Sequence, residues 1–306
     1  MKFTVEYPSD VPTANPELRD PAVMRAIAGC AEELGFDAIA LADHPAPSAK
    51  WYAAGGHNTF DPAVALAFFA AATTTVRLMT HLYVLPFRNP YLAAKTLTSL
   101  DVVSGGRLIA GVGAGYLRSE FGALGVDFDN RVTLFDEYLV ALRRIWTEPD
   151  RPVTGSTFAA AGALKLDAPI QKPHPPLWLG GNSPATVRRV VEHGSGWCPV
   201  VAPQTVTTSV RTASIEGVDD FARAVDKLRE HLSNAGRDIG SVEIQVAAPS
   251  IDFDNPDGVA ILDAYVAGMS RAGATRILAH VDARSAVAAE AYMSCFAKHF
   301  GTGGTS

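Results

Sequence analysis

The sequence predicts an α/β fold, namely a (β/α)8 TIM barrel with an insertion between the fourth helix and the fifth strand. Eight short β-rich runs recur along the chain, and each is followed by an amphipathic segment, as in a parallel sheet. The chain has 306 residues, of which 48% are hydrophobic, and this size suits one barrel. We therefore predict a single domain over residues 1–300, followed by a disordered tail at 301–306.

The predicted strands and helices alternate in eight units. The strands are expected at residues 2–7, 37–42, 76–85, 107–112, 176–181, 196–200, 241–248 and 275–281. The helices are expected near residues 20–35, 61–74, 90–103, 130–147, 184–193, 219–235, 257–272 and 283–299. Gly35, Gly194 and Gly273 each follow an apolar-periodic helix, so we expect left-handed caps at all three.

The segment 148–175 is rich in proline and has no helical period, so it is the predicted insertion. We expect it to form a loop with a small hairpin near residues 153–166. Such a segment separates the first four βα units from the last four.

Composition and charge narrow the class of protein. The formal net charge of -6 argues against a nucleic-acid partner or an acidic membrane surface, since both favour a basic face. Cys30, Cys198 and Cys295 follow no metal-ligand spacing, which favours reduced thiols in the cytoplasm. No apolar run approaches the roughly 20 residues that cross a bilayer, and the start of the chain lacks signal-peptide character. We predict a cytoplasmic protein.

Polar residues at the carboxyl ends of the predicted strands are the first candidates for chemistry, because barrel enzymes place their active sites there. Asp43 and His44 directly follow the second strand, where they could bind a cofactor or move a proton. His81 and His280 lie on the third and eighth strands. With His44 they could form a three-histidine zinc site, which makes a metal-dependent hydrolase the alternative from another class.

Two glycine-rich segments are candidate ligand contacts. The loop GVGAGYL at 111–117 lacks the third glycine of a dinucleotide fingerprint, but Gly113 and Gly115 would let a ligand approach the backbone. In GGNSPATVRR at 180–189, Ser183 is expected to cap a helix that starts at Pro184, with free backbone N–H groups for an anion. Tight turns and an ordinary capped helix are the alternatives.

Four motifs together resemble the bacterial luciferase-like oxidoreductases, in the branch that uses the deazaflavin coenzyme F420. They are ELGFDAIALADHP, the segment Thr80–Arg88, SGGRLIAGVGAGYLRSEFGALGV, and HPPLWLGGNSPATVRR followed by GSGW. The resemblance covers nearly the whole chain and implies a TIM barrel that transfers a hydride between C5 of the deazaflavin and a small organic substrate. An FMN-dependent monooxygenase of the same superfamily is the nearest alternative.

The resemblance also implies roles for individual residues. His44, preceded by Asp43, would face the reactive edge of the deazaflavin, and His81–Leu82 falls where relatives carry a non-prolyl cis peptide. The remaining cofactor contacts implied by the resemblance are Thr80, His81, Leu82, Gly113, Ala114, Gly115, Gly180, Gly181, Asn182 and Ser183. Relatives of this kind are often homodimers, so a homodimer is expected.

Tyr116 departs from the pattern of the deazaflavin-dependent sugar-phosphate dehydrogenases, which carry a catalytic glutamate directly after this loop. A tyrosine has an ordinary pKa of about 10 and is a poor substitute for a carboxylic acid. The resemblance therefore disfavours a sugar-phosphate substrate and leaves Tyr116 as a second catalytic candidate beside His44. Trp51, Tyr52 and His57 are expected to shape the substrate pocket, although these residues equally suit loop packing. A noncatalytic cofactor carrier is a further alternative.

Overall fold

The computed structural model describes residues 1–9, 11, 13–162 and 164–302, and its eight parallel strands form a closed barrel in the order β1 to β8. The strands are β1 Lys2–Glu6, β2 Ala38–Leu41, β3 Arg77–Val84, β4 Leu108–Gly113, β5 Leu177–Gly180, β6 Gly196–Cys198, β7 Glu243–Ala247 and β8 Arg276–His280. All eight predicted strands are present, with ends that agree within two residues. The predicted (β/α)8 fold class is confirmed.

Helices alternate with these strands. They are α1 Pro21–Glu33, α2 Ala49–Ala53, α3 Pro62–Ala72, α4 Pro90–Val103, α5 Arg118–Ala123, α6 Arg131–Thr147, α7 Pro184–His193, α8 Gln204–Ser209, α9 Val218–Asn234, α10 Pro256–Ala272 and α11 Ala286–Phe300. Eight of them confirm the predicted helices. Periodicity does not predict α2, α5 and α8, because each has only five or six residues. Within the described ranges, no helix is long and apolar enough to cross a membrane.

The starts of five helices share one local signal. A capping side chain accepts hydrogen bonds from the first turn, and a proline, which has no N–H to leave unpaired, occupies the first position. These pairs are Asp20–Pro21, Asp61–Pro62, Asn89–Pro90, Ser183–Pro184 and Asn255–Pro256.

The chain divides into two compact units. The first unit comprises Met1–Ala40 and Leu177–Ser306. Its strands β1, β7 and β8 meet at the fully buried Arg276, which donates to Thr4 Oγ1 and Glu243 Oε2, both at 3.2 Å, and pairs with Asp37. Burial alone would raise the pKa of Glu243, but Lys2 and Arg276 hold that pKa below its ordinary value. This network stabilises the amino ends of β7 and β8.

The second unit comprises Leu41–Pro176 and contains β3, β4 and the insertion. The insertion follows α6 and forms one antiparallel bridge, Thr154–Ala159, within the predicted hairpin region. The hydroxyl of Tyr91 contacts both backbone polar groups of Val153, at 3.0 and 3.1 Å, and anchors the segment on α4. The prediction of a single domain over residues 1–300 stays a prediction.

The predicted helix caps are confirmed at Gly35 and Gly273, whose φ angles are 76° and 112°. The prediction is wrong for Gly194, which is extended with φ -87° and ψ 149°. The reason is that Arg237 donates to the carbonyl oxygens of Val190, Val191 and Gly194 at 2.7 to 2.9 Å. A side chain therefore satisfies the end of α7, and a left-handed residue is not needed.

The predicted tail begins at Gly301, the left-handed residue with φ 66° that caps α11 after Phe300. Residues 303–306 of this prediction lie outside the described part of the chain.

Candidate active site

Strand β3 is irregular near its carboxyl end. Its register with β4 shifts between Thr80 and Tyr83, and the His81–Leu82 peptide is cis, as the resemblance implies. Thr80 and Tyr83 are buried, whereas His81 and Leu82 between them are half-buried. Thr80 Oγ1 donates to the carbonyl oxygen of Gly111 at 2.7 Å and ties the irregular segment to β4. The barrel strand thus leaves part of Leu82 accessible.

Three glycines at and after the end of β4 face this segment. A Cβ added at Gly111 would lie 2.1 Å from the carbonyl oxygen of Thr80, and one at Gly115 would lie 2.7 Å from the nearest side chain, on a left-handed backbone. At Gly113 the nearest atom would be Leu82 Cδ1 at 3.3 Å. Packing within the protein therefore explains Gly111 and Gly115. At Gly113, which is buried, an added side chain would press on Leu82 less severely than at the other two positions.

Asp43 anchors the corner that follows β3. Its carboxylate is 3% exposed, accepts two hydrogen bonds from Arg88 at 2.5 and 2.9 Å, and accepts a third from the N–H of Val84 at 2.9 Å. A carboxylate committed to a guanidinium and a backbone N–H is strongly held. The structure thus gives this side chain a positioning role, and the predicted cofactor contact of Asp43 stays a prediction.

His44 lies between two hydrogen-bonding partners. Its Nδ1 is 3.2 Å from Glu120 Oε2, and its Nε2 is 3.2 Å from the hydroxyl of Tyr116. The backbone N–H of His44 donates to Thr59 Oγ1 at 3.0 Å and fixes the residue at the end of β2. The two catalytic candidates, His44 and Tyr116, are therefore in contact. With the buried carboxylate of Glu120 they form a hydrogen-bonded row of three residues.

Two further rings pack on this row. The centroid of the His44 ring is 5.1 Å from that of His57 and 5.9 Å from that of Trp51, and Trp51 is 5.8 Å from Tyr116. Trp51 Nε1 donates to the carbonyl oxygen of His57 at 3.3 Å. We call His44, Trp51, His57, Tyr116 and Glu120 the His44 cluster. The predicted pocket residue Tyr52 is instead 42% exposed and contributes no ring contact to the described cluster.

Glu120 is the residue that sequence reasoning misses. It lies on the short helix α5, is 1% exposed, and also accepts the N–H of Ala46 at 3.3 Å. Neighbouring Phe121, which is fully buried, packs edge-on against Phe87 and Phe128 and holds α5 in place. The available signal was a glutamate beside a large apolar residue just after the glycine loop, in a stretch too short for helical periodicity.

Residues 180–183 precede α7 in the first unit. Ser183 caps the helix by accepting from the N–H of Thr186 at 3.1 Å, as predicted. The expectation that the preceding glycines expose their N–H groups is wrong at Gly181, which donates to the Cys198 carbonyl. The N–H of Asn182 likewise donates to Thr212 Oγ1. Helix geometry leaves the N–H groups of Ser183 and Ala185 for an anion.

Two of the three histidines of the metal alternative, His44 and His280, have acidic partners of their own. His280 Nδ1 is 2.7 Å from Glu6 Oε2, and His44 contacts Glu120. Burial alone lowers the pKa of His280, but the charge and hydrogen bond of Glu6 raise it overall. Across residues 1–9, 11, 13–162 and 164–302, no group of three His, Cys, Asp or Glu side chains is arranged to hold a metal ion.

Comparison with known proteins connects this geometry with redox enzymes. An F420-dependent glucose-6-phosphate dehydrogenase from Gordonia bronchialis is 30% identical over 192 residues, which cover 60% of this chain and 54% of that protein. An FMNH(2)-dependent dimethylsulfone monooxygenase from Pseudomonas putida is 32% identical over 130 residues, covering 42% of this chain and 35% of that protein. The chain thus matches about half or less of the length of these two relatives.

The fold has a close counterpart among solved structures. The crystal structure of the monooxygenase RslO1 from Streptomyces bottropensis superposes with a TM-score of 0.79 at 24% identity and covers 98% of each chain. A family model described as luciferase-like monooxygenase matches residues 1–259, which is most of the sequence. Relatives that use coenzyme F420 and relatives that use FMN both occur among the matches. The chain belongs to the luciferase-like monooxygenase family.

Proposed function

We propose that this protein is an F420-dependent oxidoreductase that transfers a hydride between C5 of the deazaflavin and a small organic substrate. The observation that carries the proposal is the hydrogen-bonded row of Glu120, His44 and Tyr116. Hydride transfer at a carbon that bears oxygen or nitrogen also moves a proton, and the enzyme must give or take it. His44 and Tyr116 are the proposed catalytic residues.

The residues around the irregular segment of β3 are proposed to hold the flat ring. Leu82 is a half-buried apolar side chain on a barrel strand, and Gly113 opposite it carries no side chain. The residues proposed to contact the ring are Thr80, His81, Leu82, Gly113, Ala114 and Gly115. When bound, the deazaflavin supplies the two-electron chemistry, while these residues orient the ring and exclude water.

Residues 180–183 are a separate part of the proposal. Gly180, Gly181, Asn182 and Ser183 are proposed to bind a phosphate group at the start of α7. Two N–H groups remain for it, those of Ser183 and Ala185, and the positive end of the helix dipole adds to the attraction. Phosphate protection of these two amides from hydrogen exchange would test this part by itself.

An FMN-dependent monooxygenase is the second candidate. The relative from Pseudomonas putida, named as an FMNH(2)-dependent monooxygenase, favours it. In that case the same ring contacts would hold a flavin, and turnover would require oxygen. The hydrogen-bonded row favours the deazaflavin enzyme, because its proton chemistry is matched to hydride transfer.

A sugar phosphate is not the proposed substrate, although the relative from Gordonia bronchialis is named for one. Tyr116 occupies the position after the glycine loop, and Glu120 is four residues further on and 1% exposed. A glutamate so placed cannot meet a substrate directly.

We also propose, from the resemblance alone, that the protein is a cytoplasmic homodimer. Sedimentation velocity would test whether it is a dimer.

Cofactor titration followed by absorbance tests the choice between the two candidates. The proposal expects saturable binding of coenzyme F420 and anaerobic turnover, with weaker binding of FMN. Gly113→Leu should weaken binding, because its side chain would occupy the space beside Leu82. Gly122→Leu is the matched control, since a Cβ there meets nothing within 4 Å. Tight FMN binding with strictly oxygen-dependent turnover would overturn the proposal.

A further inference from the structure

We propose that Glu120 is a positioning residue that fixes the proton of His44 on Nδ1 and thereby makes Tyr116 the group that exchanges a proton with the substrate. The inference deepens the proposed function and rests on it for its chemistry. The test of this inference does not rest on the proposed function, because the position of the proton on His44 can be measured without cofactor.

Both oxygens of the Glu120 carboxylate have a hydrogen-bonding partner. One carboxylate oxygen, Oε1, accepts the backbone N–H of Ala46 at 3.3 Å, and the other, Oε2, is 3.2 Å from His44 Nδ1. A carboxylate group only accepts hydrogen bonds, so we assign the donor role in this contact to Nδ1. In the neutral ring Nε2 is then the acceptor, and it receives the hydrogen bond of the Tyr116 hydroxyl at 3.2 Å.

The three residues of the row differ in how much of each is exposed to solvent. Glu120 is 1% exposed, His44 is 7% exposed, and Tyr116 is half-buried. Accessibility therefore increases from the carboxylate to the phenol. A substrate approaching the row would therefore meet Tyr116 before the imidazole and the carboxylate.

In the direction of oxidation, two proton transfers accompany the loss of one hydride from the substrate. The substrate hydroxyl gives its proton to Tyr116 Oη, and Tyr116 passes its own proton to His44 Nε2. The substrate carbon loses its hydride to the two-electron acceptor, and a C=O bond forms. The resulting imidazolium donates from both nitrogens, and the buried Glu120 carboxylate stabilises its charge. Reduction of a ketone runs through the same transfers in reverse.

This order defines a class of substrate. It suits a compound whose oxidation releases one hydride from carbon and one proton from an attached oxygen, as in a secondary alcohol and its ketone. It does not suit a reaction in which no proton is exchanged at the substrate. The phenol also serves as a hydrogen-bond donor to the carbonyl oxygen in the reverse direction.

The experiment is 15N NMR of histidine-labelled protein without cofactor, at about pH 9, where a free imidazole is neutral. His44→Gln identifies the His44 signals by their loss. The proposal expects a protonated, pyrrole-type Nδ1 and an unprotonated, pyridine-type Nε2 in the wild type. A proton on Nε2 with a bare Nδ1 would overturn it.

Glu120→Gln provides the decisive variant. The Ala46 N–H needs an acceptor, so the amide oxygen should face it and the amide NH2 should face His44 Nδ1. The proton should then move to Nε2, whereas a merely structural role would leave it on Nδ1. Glu148→Gln, at the end of α6 and 34% exposed, is the matched control and should leave the tautomer unchanged. An unmoved proton in Glu120→Gln would contradict the proposal.

Tyr116→Phe keeps the test informative if Glu120→Gln does not fold. It removes the partner of Nε2 but not that of Nδ1, so the proton should remain on Nδ1. Movement of the proton in this variant would show that Tyr116 sets the tautomer and would overturn the proposal. Correct tautomers without binding of coenzyme F420 would leave this inference standing and refute the proposed function instead.

Discussion

Two histidine–glutamate pairs lie at the carboxyl ends of barrel strands, and they differ in what surrounds them. The pair of His44 and Glu120 is almost fully buried, and the second nitrogen of His44 continues to Tyr116 at 3.2 Å. The pair of His280 and Glu6 is closer, at 2.7 Å, but the His280 side chain is 35% exposed. Short distance alone does not mark an active residue. Continuity to an accessible acid or base does.

The largest contrast is expected in catalysis. His44→Ala should lower kcat/KM by about 100- to 10,000-fold, the range for loss of a general acid or base. His280→Ala should leave kcat/KM within the same order of magnitude, because His280 is not one of the proposed catalytic residues. Anaerobic kinetics with coenzyme F420 and a panel of secondary alcohols would measure both. Equal losses in the two variants would erase the distinction between the pairs.

A smaller contrast is expected in stability. Glu120→Ala removes the acceptor of the buried His44 Nδ1 and of the partly buried N–H of Ala46, and should lower the free energy of unfolding by about 1–3 kcal/mol. Glu6→Ala should cost less, because water can replace the lost carboxylate at the partly exposed His280. Urea denaturation of both variants would measure this difference. A larger loss for Glu6→Ala would reverse the ranking.

The smallest expected effect is the dependence of stability on pH at the partly exposed pair of His280 and Glu6. Because Glu6 raises the pKa of His280, their interaction should stabilise the fold fully below the ordinary histidine pKa of about 6.5. The stabilisation should disappear as the pH rises through the raised pKa. The difference in unfolding free energy between wild type and Glu6→Gln should therefore shrink as the pH rises above about 6.5 and through the raised pKa of His280. A constant difference would show that protonation of His280 is not involved.

The strands and long helices were predictable because their signals are local. Strand periodicity, glycine punctuation and capping side chains before Pro21, Pro62 and Pro90 act within a few residues of the chain. The end of α7 at Gly194 was not predictable, because its capping hydrogen bonds come from Arg237, 43 residues further along the chain. Local rules describe an element only when its ends are satisfied locally.

The candidate site follows the same division. His44 and Tyr116 could be named from strand ends and from resemblance, but their partner Glu120 is separated from His44 by 76 residues. Adjacent Asp43 could not be told apart from His44 by sequence, since its role depends on contact with Arg88. Tertiary contacts decide which of these two neighbouring polar residues holds the structure and which stays a catalytic candidate.

The irregular end of β3 also has a consequence for protein engineering. The carbonyl of Thr80 occupies the space in which any Cβ at position 111 would lie, at 2.1 Å. The segment cannot be transplanted into another barrel by itself, because a host strand with alanine at that position would collide with it. The two strands must be inherited or grafted together, so a search for transferable parts of this fold should treat 77–84 and 108–115 as one module.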